Sequence, residues 1–348
     1  KLIIWFNLFN DSFILFNNDS ASERDNIIMK KPPIELQRKF KTEYKDRSNF
    51  ASNARLLQSI WREENNIPLE RTYGNFLSHE QAYDQELNFL TPKIRAIVKK
   101  EVEENVTRKG KDVKVMKKDR LYENLLSSQP LAFNLFGELI TPEYELANKI
   151  FIKLFPDKIT KVTSIDFEIS TCRGDLNYTG DHSAFDVFIP YDGIKGKGFI
   201  GIEVKYAETL LDIPARFKER YREVAIQSGK FTEEGINELC KMPKSLEQIW
   251  RDHLLSLSMI PPVNKDYDEG FFVFLYPKDN QECVNALTRY NSYLNSTLSE
   301  ESGLQQITME DFVAAIKSET SEQWIKDFED RYLNFEKIEA LSNKLPIL

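Results

Sequence analysis

Apolar residues recur every three or four positions in the first and last thirds of the chain, and in alternating or unbroken runs through the middle. The first rhythm predicts helices and the second strands, because helix neighbours on one face lie three or four apart and strand neighbours two. Residues 36–107 read as helical. "NARLLQSIW" sets Leu56, Leu57, Ile60 and Trp61 on one face, and "SHEQ" at Ser78–Gln81 has capping-box spacing. Thr91-Pro92 and Thr141-Pro142 both have the form of a helix start, a cap residue followed by proline. Behind the second, Ala147, Ile150, Phe151 and Leu154 form a buried stripe. Three strand-like segments follow, "KVTSIDFEIS", "SAFDVFIPY" and "KGFIGIEVKYAE". Then come a basic helix "PARFKERYREVA", a helix around "SLEQIWRDHLLSLS" and a buried strand "GFFVFLYP". The end of the chain is helical again, with Trp324, Phe328, Tyr332 and Phe335 at helical spacing as packing residues. The expected fold class is α/β, a mixed central sheet flanked by helices. Three regions are expected: 1–120, helical with a basic connector; 121–290, the core; and 291–348, helical.

The opening "KLIIWFNLFNDSFILFNN" is apolar, but Asn7, Asn10, Asp11 and Ser12 interrupt it well short of a spanning length. It reads as a packed segment or a tail, and no membrane partner is expected. The chain does not open on Met, so the natural start is expected to lie elsewhere. Three cysteines far apart, Cys172, Cys240 and Cys283, and three histidines give neither a disulfide framework nor a zinc site. A reducing, cytoplasmic setting fits.

With 41% hydrophobic residues the chain can build a sizeable core. Its net charge of -8 excludes a uniformly basic surface but allows a basic groove on an acidic body. The most basic stretch is Val106–Arg120, with Arg108, Lys109, Lys111, Lys114, Lys117, Lys118 and Arg120 against Asp112 and Asp119. It is either a solvated connector or a flap that touches phosphate, with Lys109, Lys111, Lys117 and Lys118 as the binding candidates.

Charge inside the strand patterns carries the chemistry. Alternation puts Ile200, Ile202 and Val204 on one face and Phe199, Gly201, Glu203 and Lys205 on the other. It likewise puts Asp186 opposite Phe185, Val187 and Ile189, and Asp166 with Glu168 opposite Ile165, Phe167 and Ile169. A carboxylate inside such a strand destabilises the fold unless something compensates it. If the strands are neighbours, Asp186, Glu203, Lys205 and Glu168 converge. Gathered carboxylates repel and need a cation, and oxygen ligands without His or Cys select Mg²⁺ or Mn²⁺. The Lys205 ammonium beside such a site can position an attacking water and stabilise charge on phosphate.

Asp186, sixteen intervening residues, then Glu203-Val204-Lys205 resembles the PD-(D/E)xK nuclease superfamily, the restriction-endonuclease-like fold. The order helix, strand, strand with Asp, strand with Glu-x-Lys, helix, strand is similar to its core over Leu121–Pro277. "SSQPLAFNLFG", "FDVFIPY", "IEVKYAE" and "LEQIWRDHLL" together resemble a largely uncharacterised bacterial group within it. The resemblance implies that Asp186 and Glu203 bind Mg²⁺ or Mn²⁺, that the Val204 carbonyl adds a ligand, and that Lys205 serves the water. It also implies that Gln248 and Arg251, on a later helix, reach the substrate. Glu168 is the candidate third carboxylate, with Glu138, Glu143 and Glu145 as competitors. His182 is a candidate for the mouth of the site. Arg216, Lys218, Arg220 and Arg222 serve either phosphate contact or pairing with Glu219 and Glu223. Phe185 stands where the family's naming motif has proline. The implied activity is hydrolysis of a phosphodiester by a DNA endonuclease, with nucleic acid as partner, in defence, repair or mobile-element processing. An RNA-directed nuclease and a catalytically silent nucleic-acid-binding or scaffolding protein of this fold are the alternatives. A homodimer is an open option.

Overall fold

Ser48 and Thr91 each open a sixteen-residue helix, their hydroxyls accepting the Ala51 and Ile94 N–H groups. The structure is a computed structural model that describes residues 29–109, 114, 116–170, 172–211 and 215–345. The apolar opening stretch and Lys111 lie outside the described residues. Five helices precede the sheet: α1 (Ile34–Lys39), α2 (Asn49–Glu64), α3 (Pro92–Thr107), α4 (Ser128–Phe136) and α5 (Glu145–Leu154). The predicted face of α2 is buried, and so are its polar Arg55, Gln58 and Arg62, so this helix is enclosed on all sides. Ser78 and Gln81 make the reciprocal capping-box bonds, around a single π-helical turn at Glu80–Asp84. Thr141-Pro142 starts only a 3-10 turn. Glu143 and Tyr144 are left-handed, and α5 begins at Glu145.

Six strands form one mixed sheet: β1 (Ile159–Val162), β2 (Asp166–Ile169), β3 (Phe185–Gly193), β4 (Gly196–Val204), β5 (Glu269–Tyr276) and β6 (Leu304–Thr308). The order is β1-β3-β4-β5-β6, with β2 also on β3; the β3 pairings are antiparallel, while β4-β5 and β5-β6 are parallel. The segment "KVTSIDFEIS" is thus two short strands that share one partner, not one. Between β4 and β5 lie α6 (Glu219–Ser228), α7 (Glu233–Leu239) and α8 (Glu247–Ser258). Next come α9 (Gln281–Asn291) and α10 (Ser299–Ser302) before β6, and α11 (Met309–Glu319), α12 (Gln323–Tyr332) and α13 (Glu336–Ser342) after it. β6 escaped the pattern because "LQQIT" is an edge strand with too few apolar residues to set a period. Arg216 and Lys218 precede α6, which is shorter than the basic segment predicted.

Both sheet faces are covered, as a mixed sheet with parallel crossovers requires. On one face Phe133 of α4 stacks on Phe167 at 4.0 Å, and Phe155 packs on Phe271 at 4.8 Å. On the other, Phe188, Phe199, Phe272 and Phe274 join α6, α8 and α9 in one core. Alternation holds along β4 and fails at one point in β2 and one in β3. Glu168 has φ 53°, a left-handed conformation inside β2, and Ile169 packs with the Phe188 core. Phe185 also lies on the Phe188 side, its ring 5.9 Å from that of Phe188 and directly over Gly201. A Cβ on Gly201 would stand 2.5 Å from the Phe185 ring. Gly201→Ala is therefore expected to lower stability by about 1–3 kcal/mol in chemical unfolding.

The terminal helices brace the end of β4. All these elements belong to one compact unit, Lys31–Leu348. The fully buried Arg331 guanidinium of α12 donates to Gln58 Oε1 and Asn88 and lies 4.0 Å from the Trp61 ring. Tyr206, two residues past β4, donates its hydroxyl to the Tyr332 carbonyl at 3.0 Å.

Candidate active site

The β3-β4 hairpin fixes the relation between the two central acids. Its register pairs Val187 with Ile202, so one step further Asp186 stands across from Glu203. There the ladder gives way to a side chain: Asp186 Oδ2 accepts the Val204 N–H at 2.8 Å. Past β4, the Lys205 N–H still bonds the Leu275 carbonyl, which holds the chain extended. Lys205 therefore points the same way as Glu203, and its ammonium lies 2.7 Å from Glu203 Oε1. Gln248, in the first turn of α8, donates to that same oxygen at 2.5 Å. On the far side of Asp186, Gln129 of α4 donates to Glu168 Oε1 at 2.7 Å. Glu168, Asp186, Glu203, Lys205 and Gln248 line one cleft of about 580 Å³.

Burial sets the electrostatics. It pushes the Glu168 carboxyl up to about 7 and the Asp186 carboxyl well above its ordinary value, with Glu203 adding to both. Burial alone would lower Lys205, but Glu203, Glu208 and Asp186 outweigh it and hold the ammonium protonated. One oxygen of each acid is engaged: Glu168 Oε1 by Gln129, Asp186 Oδ2 by the Val204 N–H, and Glu203 Oε1 by Gln248 and Lys205. This donor set fits a hard divalent cation in kind, since its acidic ligands are carboxylates without His or Cys. As they stand, no three or more His, Cys, Asp or Glu side chains among the described residues are grouped so that they could hold a metal ion.

The sequence model of the PD-(D/E)XK nuclease superfamily matches residues 44–334, most of the chain. The chain belongs to the PD-(D/E)XK nuclease superfamily. Neither the curated proteins nor the solved structures contain a match. The mixed six-stranded sheet between helical layers is the α/β restriction-endonuclease-like fold of that superfamily. No helix among the described residues is long and apolar enough to cross a membrane.

The structure of this PD-(D/E)XK protein sorts the remaining candidates. Of the acids weighed as third carboxylate, Glu168 alone lines the cleft. Glu138 pairs with Lys93, Glu143 with Lys161, and Glu145 sits in the first turn of α5. Val204 is not a lining residue; its N–H holds Asp186. Arg251 lines the cleft with its guanidinium bonded to Asp181 at 2.7 Å and Glu247 at 2.8 Å. Burial would raise the Asp181 carboxyl, but Arg251, the Ser183 N–H and the Thr179 hydroxyl outweigh it and hold it below its ordinary value. His182 is exposed at the cleft. Lys218 and Arg220 donate to the Gly180, Tyr178 and Asn177 carbonyls, fastening the loop before β3, and Arg222 lies 3.7 Å from Glu219. Arg216 is exposed.

Among the described residues of the basic stretch, Lys117 and Arg120 are the basic side chains that line the cleft. Lys109 and Lys118 are exposed away from it, and Lys114 is buried against Glu101 at 2.5 Å. Sequence reasoning assigned no role to Gln129, Glu208 or Asp252. Gln129 and Glu208 lie inside two of the quoted motifs, and Asp252 stands four residues after Gln248, one helical turn on. Glu208 accepts from the Ser128 N–H at 2.5 Å, from Arg120 at 3.3 Å and from the Tyr206 N–H at 3.2 Å. It thereby ties the start of α4, and with it Gln129, to the end of β4.

Proposed function

We propose that the protein is a nuclease dependent on a hard divalent cation, Mg²⁺ or Mn²⁺, that hydrolyses phosphodiester bonds in DNA as an endonuclease. The observation that carries this reading is the convergence of Asp186, Glu203 and Lys205 in one cleft, with Glu168 beside them. Asp186, Glu203 and Lys205 answer to the Asp, Glu and Lys of the superfamily motif. Asp186, Glu203 and Glu168 would hold the cation, which supplies positive charge against the scissile phosphate and acidifies water.

Lys205 is kept charged by its carboxylate neighbours, so its role is to donate rather than to accept a proton. It orients the attacking water and offsets negative charge that grows on the phosphate. Gln248 fixes the Glu203 carboxylate by the bond to Oε1, and Gln129 does the same for Glu168. Exposed Lys117 and Lys244 flank the cleft and suit phosphates on either side of the scissile bond.

The test is incubation of the purified protein with linear, circular and single-stranded DNA and with RNA, in Mg²⁺, Mn²⁺ or chelator. Cleavage of DNA with either cation and none in chelator is expected. Cleavage of RNA alone would replace the DNA reading, and binding without cleavage of any substrate would favour a silent binding protein. Binding also has a salt signature. Replacing Lys117 and Lys244 together by Gln should make the plot of log affinity against log salt shallower by about 0.9 per phosphate contact on duplex DNA. An unchanged slope in filter binding would mean that neither lysine meets a phosphate.

A further inference from the structure

One carboxylate in the cleft is left without a purpose by the motif. Asp252 of α8 is only 3% exposed, its Oδ2 has no hydrogen-bond partner, and no ion pair reaches it among the described residues. Its sequence neighbour Arg251 does not serve it, since that guanidinium is committed to Asp181 and Glu247. Asp252 lines the same cleft as Glu203, one turn along α8 from the Gln248 that touches Glu203. Burial of a carboxyl oxygen that accepts no hydrogen bond is unfavourable. Burial and the nearby Glu203 push its carboxyl well above the ordinary range.

Arg251 and Lys205 act on Asp252 through their charge, but no donor among the described residues is bonded to its Oδ2. A ligand account needs only a cation entering the cleft. We propose that Asp252 is a further acidic ligand for a hard divalent cation, on the α8 side of Glu203, beyond the set that the superfamily motif names. The inference rests on the nuclease reading above. Gln248 links the two positions, since it stands one turn from Asp252 on α8 and donates to Glu203 of β4.

Titrating Mn²⁺ alone into the full-length protein, followed by electron paramagnetic resonance of free Mn²⁺, tests this without any appeal to cleavage. Asp252→Asn should lower Mn²⁺ affinity by about 10- to 100-fold. In chelator the variant should melt no lower than the wild type, since an amide removes an unpaired buried charge. Asp186→Asn, measured alongside, reports on the motif site. If Asp186→Asn loses Mn²⁺ while Asp252→Asn binds within about twofold of wild type, Asp252 is no ligand and the nuclease reading stands. If the wild type binds no Mn²⁺, the nuclease reading falls and this inference with it. If Asp252→Asn melts well below wild type in chelator, Asp252 has a structural role and the proposal is overturned. Asp252→Ser, smaller and neutral, guards against a fault peculiar to the amide, and it should lose Mn²⁺ affinity in the same way.

Discussion

Asp186→Asn is expected to lower the rate of DNA cleavage by at least about a thousandfold, with the metal-free protein as stable as before or more so. The asparagine carbonyl can still accept the Val204 N–H that Asp186 Oδ2 accepts at 2.8 Å, so the β3-β4 join survives. What goes is a negative charge that burial, Glu203 and Glu168 already disfavour. Lys205→Ala should abolish cleavage as well, but it is a poorer test. Lys205 and Glu203 form a buried pair, and removal of one partner strands the other, at about 3–5 kcal/mol. Combining Lys205→Met with Glu203→Gln should return most of that stability and none of the activity. Full cleavage by folded Asp186→Asn would sink the assignment, and a large loss of melting temperature in that variant would mark the cluster as structural.

The metal-free protein should gain stability at Glu168 as the pH falls from about 8 to about 5. The folded-state carboxyl titrates near 7, above an unfolded glutamate at about 4.3. A raised value means that the fold prefers the protonated form. Its stabilisation is therefore complete below the unfolded value and is lost as the pH rises through about 7. The separation corresponds to on the order of 3 kcal/mol at most. Other groups titrate in the same range, so the quantity to measure is the difference between wild type and Glu168→Gln. Melting temperatures in chelator between pH 5 and 8.5 should converge at the acid end and separate at the alkaline end, with the variant higher. Parallel curves would refute the burial argument. The same linkage requires cation affinity to rise with pH, because ligating carboxylates must shed their protons.

Local pattern was enough to reveal much of this protein. Period-two alternation set Glu203 and Lys205 on one side of β4, and the 2.7 Å pair is its direct result. Thr91-Pro92 marked the start of α3, because a hydroxyl bonding an early N–H is a contact within a few residues. The superfamily motif lay in one stretch from Asp186 to Lys205, since a hairpin with a two-residue turn brings its two strands together without help from the rest of the chain. Where alternation misled, at Phe185 and Ile169, the cause was not local: the Phe185 ring takes space that Gly201 leaves on the neighbouring strand, and Ile169 follows a left-handed Glu168 that is held by Gln129 of α4. Only the tertiary structure chose Glu168 over Glu138, Glu143 and Glu145, withdrew Lys114 from the basic stretch, and committed Arg251 to Asp181. Those outcomes depend on partners 13 to 70 positions away. Sequence period describes which way a side chain points from its own element, whereas pairing and desolvation of charge depend on what other elements bring to meet it.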